Sequence, residues 1–385
     1  MIPDMKRTMQ EAMELMRAGD LHAATKAILG RLGGGHESDT ASDIADPEPS
    51  NAAGADVIEG SYRVLSNDSL GVAPSFADPA KAARSARDEA GVFSEHRFAC
   101  EAGEIRYKLF IPAGRRDAAP PLVVMLHGCT QSPDDFARGT RMNALAQEHG
   151  YVIAYPAQSK RRNATRCWNW FRSADQQRDG GGEATLIAAL TVHLVKTNGL
   201  DARRVYAAGL SAGGAMAAVL AAAYPDVFAA IGVHSGLPVG AARDLPSAFA
   251  AMAKGAAHSV SCGPHSVVHR VPAIVFHGDR DPTVDPSNGA AVVFQATATG
   301  TLMSGGESKA RETIEEGSVR GGRSYTRTIH RNDAGSVVAE QWTVHGGGHA
   351  WFGGDSAGSY TDPSGPDASE EMLRFFAQCA RAAVN

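Results

Sequence analysis

The sequence predicts an α/β chain built on a doubly wound, mainly parallel sheet, and three observations predict it. Short apolar runs alternate with helix-like stretches along residues 93–385, the pattern of parallel strands joined by crossover helices. Several runs are apolar at nearly every position, as strands covered on both faces must be. Finally, Ser, Asp and His residues follow directly on such runs, where an open α/β sheet places its site.

In chain order, residues 1–32 read as a helical hairpin. Met5, Met9, Met13 and Met16 mark one apolar stripe, Leu21, Ala24, Ile28 and Leu32 the other, and Asp20 is the N-cap after the turn. One such unit cannot bury its own face, so it is expected to dock on the body of the protein, to self-associate, or to contact an apolar granule surface. Residues 33–92 are rich in Gly, Ser, Asp, Ala and Pro and read as a flexible linker. After Glu104 to Pro112, strands are expected at 121–127, 151–155, 203–208, 229–234, 271–277 and 338–344. Helices are expected at 134–149, 183–197, 212–224, 286–298 and 367–382, and the Gly/Ser-rich, charged stretch 300–335 reads as a surface excursion. No large apolar insertion resembles a lid, which implies an open site.

Composition narrows the function. The chain has 385 residues, is 43% hydrophobic and 21% charged, and carries a formal charge of −5, which argues against nucleic acid as a main partner. No apolar stretch is long enough to be a transmembrane segment. The N-terminus lacks a basic region followed by an apolar one, so a cytoplasmic location is expected, with an extracellular one as the alternative. Five cysteines are too few for a disulfide scaffold. His345 and His349 have the spacing of a metal pair on a helix, but Gly346, Gly347 and Gly348 between them oppose a helix. No cofactor or metal is expected.

The most informative stretch is Gly209-Leu210-Ser211-Ala212-Gly213, between an apolar run and an alanine-rich one. Strand, tight turn and helix are the context in which G-x-S-x-G acts as a nucleophile elbow. Small residues around Ser211 permit the strained turn, and the Ala212 N–H then opens a helix, ready for a developing oxyanion. A serine hydroxyl needs a neutral imidazole to take its proton, and the imidazole needs a carboxylate to fix its tautomer. The run ending at His277 leads into Asp279 and Asp281, either of which can supply the carboxylate; the run 338–344 leads into His345 and His349. His349 is favoured, because three glycines let its loop fold over the serine. The order Ser, Asp, His is that of α/β-hydrolases. The loop after the run 121–127 supplies the second oxyanion donor in such enzymes, here assigned to the Cys129 N–H, with Gly128 allowing close approach.

Leu126-His127-Gly128-Cys129-Thr130-Gln131, Arg166 to Phe171, Gly209 to Gly214, His277 to Asp281 and Gly348 to Trp351 together resemble one family. It is the esterase group of polyhydroxybutyrate depolymerases, related to feruloyl and acetylxylan esterases. The resemblance spans residues 93–383 and implies an α/β-hydrolase fold, a Ser211–Asp281–His349 triad, and an oxyanion hole from Ala212 and Cys129. It implies ester substrates, with short-chain poly(3-hydroxyalkanoate), as polymer or oligomer, leading over feruloyl, acetyl or general short-chain esters. A non-catalytic binding protein on this scaffold would be expected to lack a triad member. Trp168, Trp170 and Trp351 are expected to wall the substrate site, Trp351 foremost. If the segments around Cys129 and Cys167 line one site, a Cys129–Cys167 bridge would pin the oxyanion loop.

Overall fold

The computed structural model describes Leu15 and residues 91–114, 118–256, 271–297 and 311–382. The expected hairpin at 1–32 and linker at 33–92 lie outside the described residues, apart from Leu15, which is helical and packs on the larger apolar core, and the last two linker positions. Those two lead into the sheet, because its first strand, β1, is Val92–Cys100.

The remaining strands are β2 (Gly103–Ile111), β3 (Leu122–Leu126), β4 (Val152–Ala157), β5 (Val205–Leu210), β6 (Ala230–His234) and β7 (Ala273–Gly278), then β8 (Arg311–Ser318), β9 (Ser324–Arg331) and β10 (Val337–Val344). Among the described residues these form one ten-stranded sheet in the order β1-β2-β4-β3-β5-β6-β7-β10-β9-β8. The six strands from β4 to β10 in that order pair in parallel, while β1-β2 and β8-β9 flank them antiparallel. All residues of β3, β5, β6 and β7 are buried, which explains why their sequences are apolar apart from His234 and His277 near the strand ends.

Helices cover both faces and divide the core into two apolar clusters. They are α1 (Pro133–Thr140), α2 (Met142–His149), α3 (Glu183–Asn198), α4 (Ala212–Ala223), α5 (Leu245–Lys254), α6 (Ser287–Thr297) and α7 (Ala368–Phe376). Helix α4 is buried at ten of its twelve positions, so its sequence, AGGAMAAVLAAA, shows no polar face; it runs beneath the sheet edge that carries the site. A short pair, β11 (Trp351–Phe352) and β12 (Thr361–Asp362), lies beside the main sheet.

Three expectations are corrected. The single helix at 134–149 is two, α1 and α2, because Arg141 adopts a left-handed conformation (φ 56°) between them. The surface excursion at 300–335 contains β8 and β9, which extend the main sheet; β8 is an edge strand with exposed side chains at seven of eight positions, so its sequence reads as polar. Helix α7 ends at Phe376, not at 382.

Candidate active site

Strand β5 delivers Ser211 into a sharp turn. Its φ of 57° and ψ of −119° are strained for a residue with a side chain, and the surroundings hold it there. The Ser211 N–H donates to the His234 carbonyl at 2.8 Å, and the Ser211 carbonyl accepts from Ala215 N at 2.9 Å. The flanking glycines are required by space: a Cβ on Gly213 would sit 1.9 Å from the Leu126 carbonyl oxygen, and one on Gly209 2.4 Å from the Gly213 backbone. Ala212 is the first residue of α4, where helix N–H groups have no intrahelical acceptor and the helix dipole favours negative charge.

Two strands away, β7 runs into a turn that fixes Asp281. One carboxylate oxygen accepts from the N–H groups of Thr283 and Val284, both at 2.9 Å. The other faces His349 Nδ1 at 2.8 Å and His277 Nε2 at 3.4 Å. Burial works against ionisation here, but the His349 imidazole and the hydrogen bonds from His277 and His349 outweigh it, holding the Asp281 carboxyl well below the usual range. His349 follows β10, the neighbour of β7, and its side chain is almost wholly buried. A carboxylate at Nδ1 makes that nitrogen the donor, so the neutral ring keeps its lone pair on Nε2. The turn thus discriminates between the two carboxylates and the two histidines: His345 bonds Asp279 instead, at 3.0 Å on the surface.

His234, at the end of β6, joins these parts. It is fully buried, stacks on Trp351 and Phe276, and accepts from Phe352 N at Nε2 (3.1 Å). Burial, followed by the nearby His277 and His349, pushes its pKa well down, so it is a neutral acceptor. Sequence reasoning passed over it, although a histidine ending an apolar run at the same sheet edge was a usable signal.

The loop after β3 is held from several sides. Buried His127 donates from Nδ1 to Gly128 O (2.7 Å) and accepts from Gln158 N at Nε2 (3.2 Å), and burial lowers its pKa to about 4. Gln131 caps Gly128 N at 2.8 Å. Thr130 N donates to Thr165 O at 2.7 Å, and Cys129 and Cys167 form a disulfide with their Cα atoms 4.2 Å apart. Beneath Cys167, the buried Glu183 carboxylate accepts from Asn169 N (2.7 Å), Asn169 Nδ2 (2.6 Å) and Gln158 Nε2 (2.5 Å). Sequence reasoning missed Glu183, since an acidic residue opening a helix is ordinary.

A cavity of about 320 Å³ brings together Ser211, Ala212, Cys129, Trp170, Phe171 and Phe249. Of the three tryptophans expected at the substrate, only Trp170 lines it. Trp168 is fully buried behind the loop and donates to His127 O at 3.0 Å. Trp351 is likewise buried, stacked on His234, edge-on to Phe136 and donating to Ser369 Oγ at 3.0 Å. Nearness in sequence to His349 put it in the neighbouring core rather than in the cavity.

A strained serine between a parallel strand and a buried helix, with a His–Asp pair beyond the next strands, defines the α/β-hydrolase class. The chain belongs to the esterase PHB depolymerase family, whose model matches residues 105–319, a family of carboxylic ester hydrolases. It is 32% identical over 260 residues to poly(3-hydroxyalkanoate) depolymerase C of Paucimonas lemoignei, covering 66% of this chain and 60% of that protein. It is 34% identical over 145 residues to feruloyl esterase B of Thermothelomyces thermophilus, covering 37% of this chain and 48% of that one. The chain thus spans less than two thirds of either relative. The acetyl xylan esterase from Aspergillus awamori shares the fold, with a TM-score of 0.56 at 19% identity over 74% of this chain and 99% of that structure.

Proposed function

We propose that this chain is a serine esterase that cleaves short-chain poly(3-hydroxyalkanoate), polyhydroxybutyrate foremost, or its oligomers. The observation that carries the reading is the buried His349–Asp281 hydrogen bond at the sheet edge that holds strained Ser211. In this reading Ser211 Oγ attacks the ester carbonyl carbon while His349 Nε2 takes its proton. Asp281 keeps the ring in the right tautomer and stabilises the imidazolium. The oxyanion is held by the N–H groups of Ala212 and Cys129. His349 then protonates the leaving alcohol, and the C–O bond breaks to leave an acyl-serine. Water, deprotonated by His349, attacks that ester and releases the acid, restoring Ser211.

The similarity to the depolymerase supports the polymer reading. The test is release of 3-hydroxybutyrate from an amorphous poly(3-hydroxybutyrate) suspension by wild type and Ser211→Ala, with p-nitrophenyl butyrate alongside. Both substrates should turn over, and the variant should lose at least about 10³-fold on each. Turnover of the small ester alone would move the protein to soluble esters, and a few per cent residual activity in Ser211→Ala would remove the serine from its role.

A second reading, hydrolysis of aromatic acyl esters, is favoured by the wall of Trp170, Phe171 and Phe249. Rates on matched feruloyl, acetyl and 3-hydroxybutyryl esters separate the two. The Cys129–Cys167 bridge favours the extracellular alternative, since disulfides persist in oxidising compartments.

A further inference from the structure

The segment from Gln158 to Ser173 carries Lys160, Arg161, Arg162, Arg166 and Arg172 and no Asp or Glu, in a chain whose acidic residues outnumber its basic ones by 42 to 37. A cluster of this kind on a free surface would be a solvated face. This one is fastened to the site: Cys167 is bridged to Cys129, Thr165 O accepts from Thr130 N, and Arg166 donates to Thr130 O at 2.5 Å. Its buried side contributes Trp170 and Phe171 to the Ser211 cavity.

The cations also lack carboxylates in direct contact, although Arg162 and Arg172 act at longer range on buried Asp175. On the neighbouring strands β1 and β2, Arg97 pairs with Glu104, Arg106 with Glu95 and Lys108 with Asp134. Among the described residues, none of the five loop cations forms an ion pair with a carboxylate. Arg162 is half-buried and makes one side-chain hydrogen bond, to the Ala102 carbonyl at 3.4 Å. It lines both the Ser211 cavity and a second cavity of about 740 Å³, on whose wall Lys160, Arg161 and Arg166 also lie. Passing from Ser211 to the second cavity therefore leads from an aromatic wall to a guanidinium that touches no carboxylate, with buried Asp175 acting on it only at longer range, then to a wall on which seven basic side chains outnumber four acidic ones.

We propose that this loop, through Arg162 at the junction of the two cavities, binds a carboxylate carried by the substrate itself. The preferred ester is then one that ends in a free acid a short way from the scissile bond, as every hydroxyacid oligomer does. The aromatic wall takes the apolar chain, and the guanidinium takes the ionised end through a charge-assisted hydrogen bond. The inference rests on the esterase reading above and names the substrate class of that same site.

The probes are the linear trimer of 3-hydroxybutyrate as its free acid, ionised at neutral pH, and the same trimer as its methyl ester. Wild type should favour the acid by roughly tenfold in kcat/KM, about the contribution of one charge-assisted hydrogen bond. That preference should shrink as salt rises from about 20 to about 500 mM. Arg162→Gln should bring the ratio to within about twofold of unity, and Arg162→Lys should restore part of it. Because Arg162 also holds Ala102, Arg161→Gln gives a second variant that leaves that bond intact and should lower the ratio by a smaller factor. Calorimetric titration of both trimers into Ser211→Ala reads the same preference without turnover. Acid-selective binding there, with no hydrolysis by wild type, would uphold the anion site and sink the esterase reading. Equal handling of the two trimers by wild type, or an Arg162→Gln variant that slows both equally, would overturn the proposal.

Discussion

Two His–Asp pairs stand side by side at the end of the same two strands and have little in common beyond their composition. His349 and Asp281 are 7% and 0% exposed in their side chains, 2.8 Å apart, and the carboxylate takes two further backbone N–H bonds. His345 and Asp279, at 3.0 Å, are 42% and 37% exposed. In the exposed pair, Asp279 also accepts from Gly346 N at 2.7 Å, and His345 Nε2 meets Thr326 Oγ1 at 2.9 Å. It staples the turn after β10 to the turn after β7. An ion pair open to water contributes at most about 1 kcal/mol. Burial and converging N–H donors, rather than the presence of a histidine beside an aspartate, set the pair proposed for proton transfer apart from the exposed one.

The sharpest way to break this comparison is to neutralise each aspartate in turn. Asp281→Asn should lower kcat on p-nitrophenyl butyrate by about 10³- to 10⁴-fold, since the amide no longer fixes the His349 tautomer. A loss under about tenfold would place the orienting carboxylate elsewhere.

A smaller effect is expected in the pH dependence of stability. The folded Asp281 carboxyl lies well below its unfolded value of about 3.9. Its ionised form therefore stabilises the fold fully above that value, and the contribution is lost as pH falls through the folded pKa. Thermal melts from pH 6 down to about 2 should show an acid limb that Asp281→Asn flattens; an unchanged limb would assign acid sensitivity to other groups. The smallest effect belongs to Asp279→Asn, expected to alter kcat by less than about twofold and stability by less than about 1 kcal/mol. A larger loss of kcat would mean that the exposed staple positions the His349 loop, and the contrast between the pairs would narrow.

The same contrast shows how far the sequence could be read. Strands β3, β5 and β7 were legible because burial on both faces leaves a largely apolar run, and the turn at Ser211 because only glycine fits two residues to either side, at 209 and 213. Both aspartates and both histidines were visible as well, but the sequence records the order of the turn and not the depth of each side chain. Family resemblance, together with the later place of Asp281 in its loop before Pro282, tipped the choice to Asp281. Strands β8 and β9 were hidden because an edge strand buries little. The break at Arg141 was hidden because arginine carries no sequence signal for the left-handed conformation it adopts there (φ 56°). Trp351 was misplaced because β11 turns its side chain into the core against His234.

The 1.9 Å separation between the Leu126 carbonyl and a Cβ built on Gly213 has a consequence for how this site can change. On that side the serine's turn abuts main chain, and main chain offers no side chain to trim or enlarge. In the esterase reading, a variant that admits a bulkier acyl group must therefore gain its room from side chains of the cavity wall, such as Leu237, Leu245, Phe249 and Met252. Libraries aimed at new substrates belong there, with the glycines left alone.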